Sequence, residues 1–337
     1  MIRKLMLARF TVLAVIFIFN IFLVSFTLAD AHSDFYSWLN SYKEDAFKKG
    51  ISQNTLDVAF KNVKFLDKVI VYDRKQPEFY EDTKTYVSKR ASAKRAKIAI
   101  KLLSKNKKLF QEIENSFQVE KEILLALWGI ETNFGKHVGK MDIISSLATL
   151  SYDKRRREFF SNQLFILLKL IDKKLVNPED LFGSWAGAYG NFQFMPSTIE
   201  SYAIDYDKNN KIDLKHSLKD SLASAANFIN SIGWKKNEPC FFEVNLTKEV
   251  KKKYLNTSAR KISHRLKISS WKKKGLVKID NTDFKVNLKA ALIYPDQKPS
   301  TPTFLVFSNY EKILKWNRSL RFGISVCTLA NKIKSQI

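Results

Sequence analysis

Cysteine is almost absent from this chain: Cys240 and Cys327 are the only two in 337 residues, and they lie far apart in the sequence. The four histidines are scattered, and no Cys/His group has zinc-ligand spacing, so a zinc centre is excluded. An oxidising compartment would let the two cysteines pair, but sequence does not measure their separation, and the expectation is two free thiols. Internal repeats and low-complexity linkers are missing too, which leaves no sign of a repeat array. Acidic residues are scarce, with 33 Asp and Glu against 58 Lys and Arg, for a net charge of +25. Such a field favours a polyanionic partner: nucleic acid, an anionic membrane surface or an acidic polymer. The excess is spread over Lys105 to Lys108, Lys248 to Lys253 and Lys272 to Lys274, so lysine-rich solvated faces account for most of it. A hydrophobic share of 45% with 27% charged residues is ordinary for a globular protein and excludes global disorder. The length predicts two or three subdomains.

The N-terminus holds the one long apolar run. Arg3, Lys4 and Arg9 precede Phe10 to Leu28, and Ala29-Asp30-Ala31 fits a small-x-small cleavage site. Residues 1–31 therefore read as a signal peptide or, if uncleaved, an inner-membrane anchor. No cysteine near the cleavage region offers a lipid attachment point. An exported body speaks against a nucleic-acid partner.

Periodicity predicts an α+β, mainly α, protein. Helices are expected over 38–50, 52–63, 83–105, 119–132, 142–152, 158–171, 218–234, 310–319 and 322–333. From 237 to 307 the period shortens: "FFEVNL", "SHRLKISSW", "LVKI", "FKVNLKAALIY" and "TFLVF" read as strands of a small sheet. The expected division is a helical unit at 32–110, a core at 111–236, a β unit at 237–307 and closing helices at 308–337.

Three segments carry candidate chemistry. "LLALWGIETNFG" (124–135) is apolar until Glu131, which shares a helix face with Leu124, Leu127 and Trp128. Gly135 reads as a stop, so Glu131 falls in the last turn, where burial and the negative helix end both favour its protonated form. That describes a general acid. The competing reading is a carboxylate leaving the helix into water. "GSWAGAYGNFQFMPST" (183–198) is an aromatic segment punctuated by glycines, read either as a binding wall or as a tight packed loop. Ser197 and Glu200 suggest a capping box after it. In "DYDKNNKIDLKHSLKD", Asp205, Asp207, Asn209, Lys211 and Asp213 take positions 1, 3, 5, 7 and 9 of an EF-hand-like loop. Position 6 is Asn210 rather than Gly and position 12 is His216, so Asp220 closes the set only in a longer loop.

Together "GIETNFG", "GAYGNFQFMPS", "YAIDYDKNNKIDL", "NFINSIGW" and "NYEKILKWNRS", with "DRKQPEF" near the N-terminus, resemble the lytic murein transglycosylases of the membrane-bound B type. The resemblance implies a lysozyme-like core that cleaves the MurNAc–GlcNAc bond of peptidoglycan, an exported protein of a Gram-negative periplasm, and a monomer. It places the catalytic acid on Glu131. Substrate contacts fall on Ser184, Tyr189, Gln193 and Asn317, and on Phe322 where tyrosine is more usual. A structural calcium ion falls on Asp205, Asp207, Asn209, the Lys211 carbonyl and Asp220; the chemistry needs no cofactor. One residue suffices because the muramic C6 hydroxyl replaces a second carboxylate and gives a 1,6-anhydro end. The rival readings are a muramidase that uses water and a catalytically silent peptidoglycan-binding protein.

Overall fold

A computed structural model of the chain describes residues 34–75, 81–298 and 301–337. The expected leader at 1–31 and the end of "DRKQPEF" lie outside them. Among the described residues no helix is long and apolar enough to cross a membrane.

The chain begins with six helices: α1 (34–48), α2 (Gln53–Phe60), α3 (Asp67–Arg74), α4 (Thr83–Arg90), α5 (Ala93–Lys105) and α6 (Lys107–Phe117). The helix expected over 83–105 is two helices. Ser92 breaks it, because its hydroxyl accepts the Arg95 amide and so starts a new helix. Next come α7 (Lys121–Thr132), the short strand β1 (Met141–Asp142), α8 (Ile143–Tyr152), α9 (Arg157–Asp172) and β2 (Phe182–Gly183), which pairs with β1. α10 (Pro196–Tyr202) and α11 (Leu218–Ser231) complete this part. The expected capping box does not form. Met195 is the N-cap with Pro196 at the first helical position, the Ser197 amide donates to Gln163 Oε1, and Glu200 pairs with Lys169 instead.

The β unit follows: β3 (Phe241–Leu246), β4 (Leu255–Asn256), β5 (Leu266–Lys267), α12 (Ile268–Lys273), β6 (Leu276–Lys278), β7 (Lys289–Ile293) and β8 (Thr303–Val306). The strand order is β4-β7-β8-β3-β6, with β5 also on β7. Half of "SHRLKISSW" is therefore helix. α12 turns Trp271 under the sheet, where its indole donates to the Ala290 carbonyl at 2.9 Å. Because side chains alternate along a strand, β7 and β8 serve two cores. Ala291, Ile293, Phe304 and Val306 pack into the main core; Ala290, Leu292 and Leu305 join Trp271 in a second one.

α13 (Ser308–Trp316) and α14 (Leu320–Lys334) bring the chain back to the main body. α14 packs on α7, α4 and α5. α7 is buried from Glu122 to Gly129, which its apolar sequence demands. The two cysteines do not stay free. Cys240, just before β3, and Cys327, within α14, form a disulfide with Cα atoms 6.0 Å apart. Their separation in sequence concealed this, because β8 returns beside β3 and the Phe307 amide donates to the Cys240 carbonyl.

Candidate active site

Glu131 stands in the last turn of α7, half-buried, at the point where the helix leaves the core. Asn133, Phe134 and Gly135 all take positive φ and turn the chain away. The Glu131 Oε1 atom accepts a hydrogen bond from the Trp316 indole at 3.0 Å. Trp316 closes α13, and its ring is gripped from three sides. Phe228 stacks on it with centroids 5.1 Å apart, while Phe194 (5.2 Å) and Phe192 (6.1 Å) meet it edge-on. Tyr202 stacks in turn on Phe228 at 4.6 Å. An indole N–H can only donate, so this clamp offers the carboxylate a fixed donor on a rigid platform.

The glycine-rich segment wraps this platform. A Cβ on Gly183 would lie 2.1 Å from the Ala188 carbonyl oxygen, so only glycine permits the tight turn that follows. Ser184 organises that turn: its Oγ accepts the amides of Ala186 (3.2 Å) and Ala188 (3.0 Å), which leaves its own O–H free to donate. Gln193 has φ +51° and anchors its amide nitrogen on the carbonyls of Val138 (3.1 Å) and Gly190 (2.9 Å). Asn317 follows Trp316 directly, and among the described residues its side chain makes no hydrogen bond within the chain.

Two of the residues expected to touch substrate are buried. Phe322 is 2% exposed and its ring belongs to the main core. Tyr189 is 6% exposed and lines a separate cavity of about 440 Å³ with Asp180 and Asp213. Burial and those two acids push its phenol well above the usual range. Of the acids near Glu131 in sequence, two are engaged by other groups and the third faces solvent. Asp142 caps α8 through the Ser145 amide (2.6 Å), Asp153 pairs with Arg74 (2.8 Å), and Glu158 is exposed in α9.

Asn191 and Trp316 escaped sequence reading. Asn191 Oδ1 accepts the Trp128 indole (2.9 Å), and its carbonyl accepts the Thr132 hydroxyl (2.8 Å). Its Nδ2 donates to the carbonyl of Lys215 and to the Ser221 hydroxyl. This one amide joins α7, the glycine-rich segment, the acidic loop and α11. A signal did exist for Trp316: a tryptophan packed partly into the core must find an acceptor for its N–H.

In the acidic loop, carboxylate oxygens of Asp205, Asp207 and Asp220 lie within 4.8 Å of one another. Asn210 takes φ +67° at the turn normally given to glycine. Asp220, 0% exposed in the first turn of α11, supplies the third carboxylate of this group from beyond the span of a twelve-residue loop. Its carboxyl accepts amides of Tyr206 (2.9 Å) and Asp213 (3.1 Å). Burial nevertheless pushes it above the usual carboxylate range, helped by the Asp207 charge. Three hard oxygen donors gathered against their own repulsion fit a calcium ion. Asn209 lends its side-chain oxygen to the Lys211 amide, which shapes the loop between them.

Residues 34–331 match the family described as the transglycosylase SLT domain. The chain is 38% identical over 123 residues to the membrane-bound lytic murein transglycosylase B of Escherichia coli, a match covering 36% of this chain and 34% of that protein. It thus spans about a third of the length of that curated relative. SltB3 from Pseudomonas aeruginosa, solved with NAG-NAM-pentapeptide, superposes with a TM-score of 0.83 at 32% identity, covering 89% of this chain and 79% of that one. The lytic transglycosylase Slt35 of Escherichia coli, solved with calcium, shares the fold with a TM-score of 0.74 at 24% identity, covering 88% and 92%. The expected mainly helical, lysozyme-like architecture holds, and the chain belongs to the transglycosylase SLT domain family.

Proposed function

We propose that this protein is a lytic transglycosylase that cleaves the MurNAc–GlcNAc bond of peptidoglycan glycan strands in the cell envelope, with Glu131 as acid and then base. The observation that carries this is the single carboxylate at the end of a buried helix, gripped by the Trp316 indole, with Asp142 and Asp153 engaged by other groups. Two-carboxylate hydrolysis needs a partner that these residues do not supply. The SltB3 relative was also solved with NAG-anhNAM-pentapeptide, which is the product class of the one-carboxylate route.

In the proposed reaction, protonated Glu131 gives its proton to the glycosidic oxygen as the bond to the muramic C1 breaks. The resulting carboxylate takes the proton of the C6 hydroxyl, whose oxygen closes on C1. A 1,6-anhydro end and a free GlcNAc hydroxyl form, no water is consumed, and Glu131 ends protonated again. Ser184, Gln193 and Asn317 bind and orient the strand. The catalytic unit is assigned to 111–236 completed by 308–337, with the helical unit 32–110 and the β unit 237–307 beside it. Asp205, Asp207 and Asp220 would hold a calcium ion that ties the acidic loop to α11 and stabilises the fold; the proton transfers belong to Glu131 alone.

Glu131→Gln tests the assignment. The amide keeps shape and hydrogen bonding but transfers no proton, so release of anhydromuropeptides from sacculi should fall by at least about 10²–10⁴-fold. Melting temperature and sacculus binding should be retained. Release near the wild-type rate would remove Glu131 from the mechanism, and hydrolytic rather than anhydro products from the wild type would replace the C6 hydroxyl with water.

A further inference from the structure

The loop between α8 and α9 and the first residue of α9 carry four consecutive cations, Lys154, Arg155, Arg156 and Arg157. Their position is electrostatically unfavourable. Arg156 is the N-cap of α9 and Arg157 opens its first turn, where the helix already presents partial positive charge. Fold stability explains two of the four. Asp73, whose side chain is 1% exposed, takes Arg155 and Arg156 as ion-pair partners. The Arg157 guanidinium donates to the Tyr152 carbonyl at 2.7 Å, and neither it nor Lys154 forms an ion pair among the described residues.

Lys154 and Arg157 line a cavity of about 930 Å³, with Arg74 beside them and the rings of Phe65 and Tyr152 in its wall. Large apolar side chains close to its lining in the sequence are exposed. Tyr36, Val71, Tyr72 and Phe159 are all large, exposed and within two residues of a cavity-lining position. Unpaired cations with exposed aromatics are the composition that membrane–water interfaces favour, and guanidinium groups match phosphate oxygens.

We infer that this cavity binds the phosphate-bearing headgroups of an anionic phospholipid membrane, holding the folded body against the bilayer. Its place in the chain supports this occupant. Asp34 lines the cavity, and the apolar N-terminal run ends at Leu28. Six residues of extended chain reach about 20 Å. Wherever that run lies in a bilayer, the cavity is within reach of the headgroup layer. The contact is independent of the Glu131 chemistry.

Hydrogen exchange of the full chain, read by mass spectrometry, tests this with phosphatidylglycerol and with phosphatidylcholine vesicles. Peptides covering 68–74 and 152–160 should be protected by the anionic vesicles only, and the protection should vanish at high salt. Lys154→Ser with Arg157→Ser should raise the lipid concentration for half-protection about 30-fold, at roughly tenfold or less per cation. Lys154→Arg with Arg157→Lys should retain protection, which separates charge from folding. Equal protection by both vesicles, protection by inorganic phosphate alone or by soluble muropeptides, or no response to the serine variant would each overturn the proposal.

Discussion

Cys240→Ser removes the disulfide while leaving the fully buried Cys327 thiol in place, so no cavity opens in α14. The bond closes a loop of 87 residues. Chain-entropy reasoning for a loop that long gives about 4.6 kcal/mol of stabilisation, at the top of the usual range of roughly 2–5 kcal/mol. The loop contains the whole β unit, whose β7 and β8 already tie into the main core through Ala291, Ile293, Phe304 and Val306. Unfolding that exposes those residues also unfolds the chain inside the loop, whose ends the bond still holds together, so the full effect should appear in one transition. Urea denaturation followed by circular dichroism should show a midpoint lower by the equivalent of about 3–5 kcal/mol. Wild type treated with reductant should move to the same midpoint. A native protein that titrates two free thiols, or a serine variant with an unchanged midpoint, would refute the reasoning.

Trp316→Phe keeps the stacking on Phe228 and deletes the donor to Glu131; kcat should fall roughly 10–100-fold, the range of one hydrogen bond to a charged group, with melting temperature nearly unchanged. Asp207→Ala removes an exposed member of the acidic trio, so stability in chelator should change by less than about 0.5 kcal/mol. The same variant should lose the calcium-dependent gain, about 2.7 kcal/mol at a hundredfold excess over Kd, seen as identical melts with and without the ion. Asp172 bridges α9 to α2 by accepting the hydroxyls of Ser52 (2.5 Å) and Thr55 (2.7 Å), and the Ser52 bond above all holds its carboxyl below the usual range. A lowered folded-state value means the contribution is present above the ordinary carboxylate range and is lost as pH falls through the lowered one. Acid titration of stability should therefore be shallower in Asp172→Asn than in wild type.

Much of the fold was legible because burial writes itself into period. The unbroken apolar run of α7 and the alternation in β7 and β8 each followed from one physical rule. Glu131 was legible for the same reason, as the one charge closing an apolar stripe. Capping chemistry was harder to read. Ser92 split a helix that period alone would have continued, while Ser197 looked like a cap and lost the role to Met195. Contacts between distant segments left no local trace. Cys240 and Cys327 meet because a sheet folds back, and Trp316 reaches Glu131 across 185 residues. Phe322 shows the limit of motif transfer: a matching position can carry a ring that packs inward.

The distance in sequence between Glu131 and its donor also orders events during synthesis. A nascent chain that has emerged as far as α11 already holds Glu131, the glycine-rich segment and the acidic loop. Its carboxylate lacks the indole, and Phe194 and Phe228, which already meet each other, lack the Trp316 ring. Only after the β unit has been threaded through does α13 arrive to close the gap. In the proposed mechanism the acid is thus completed late, and a partly made chain carries Glu131 without its indole donor.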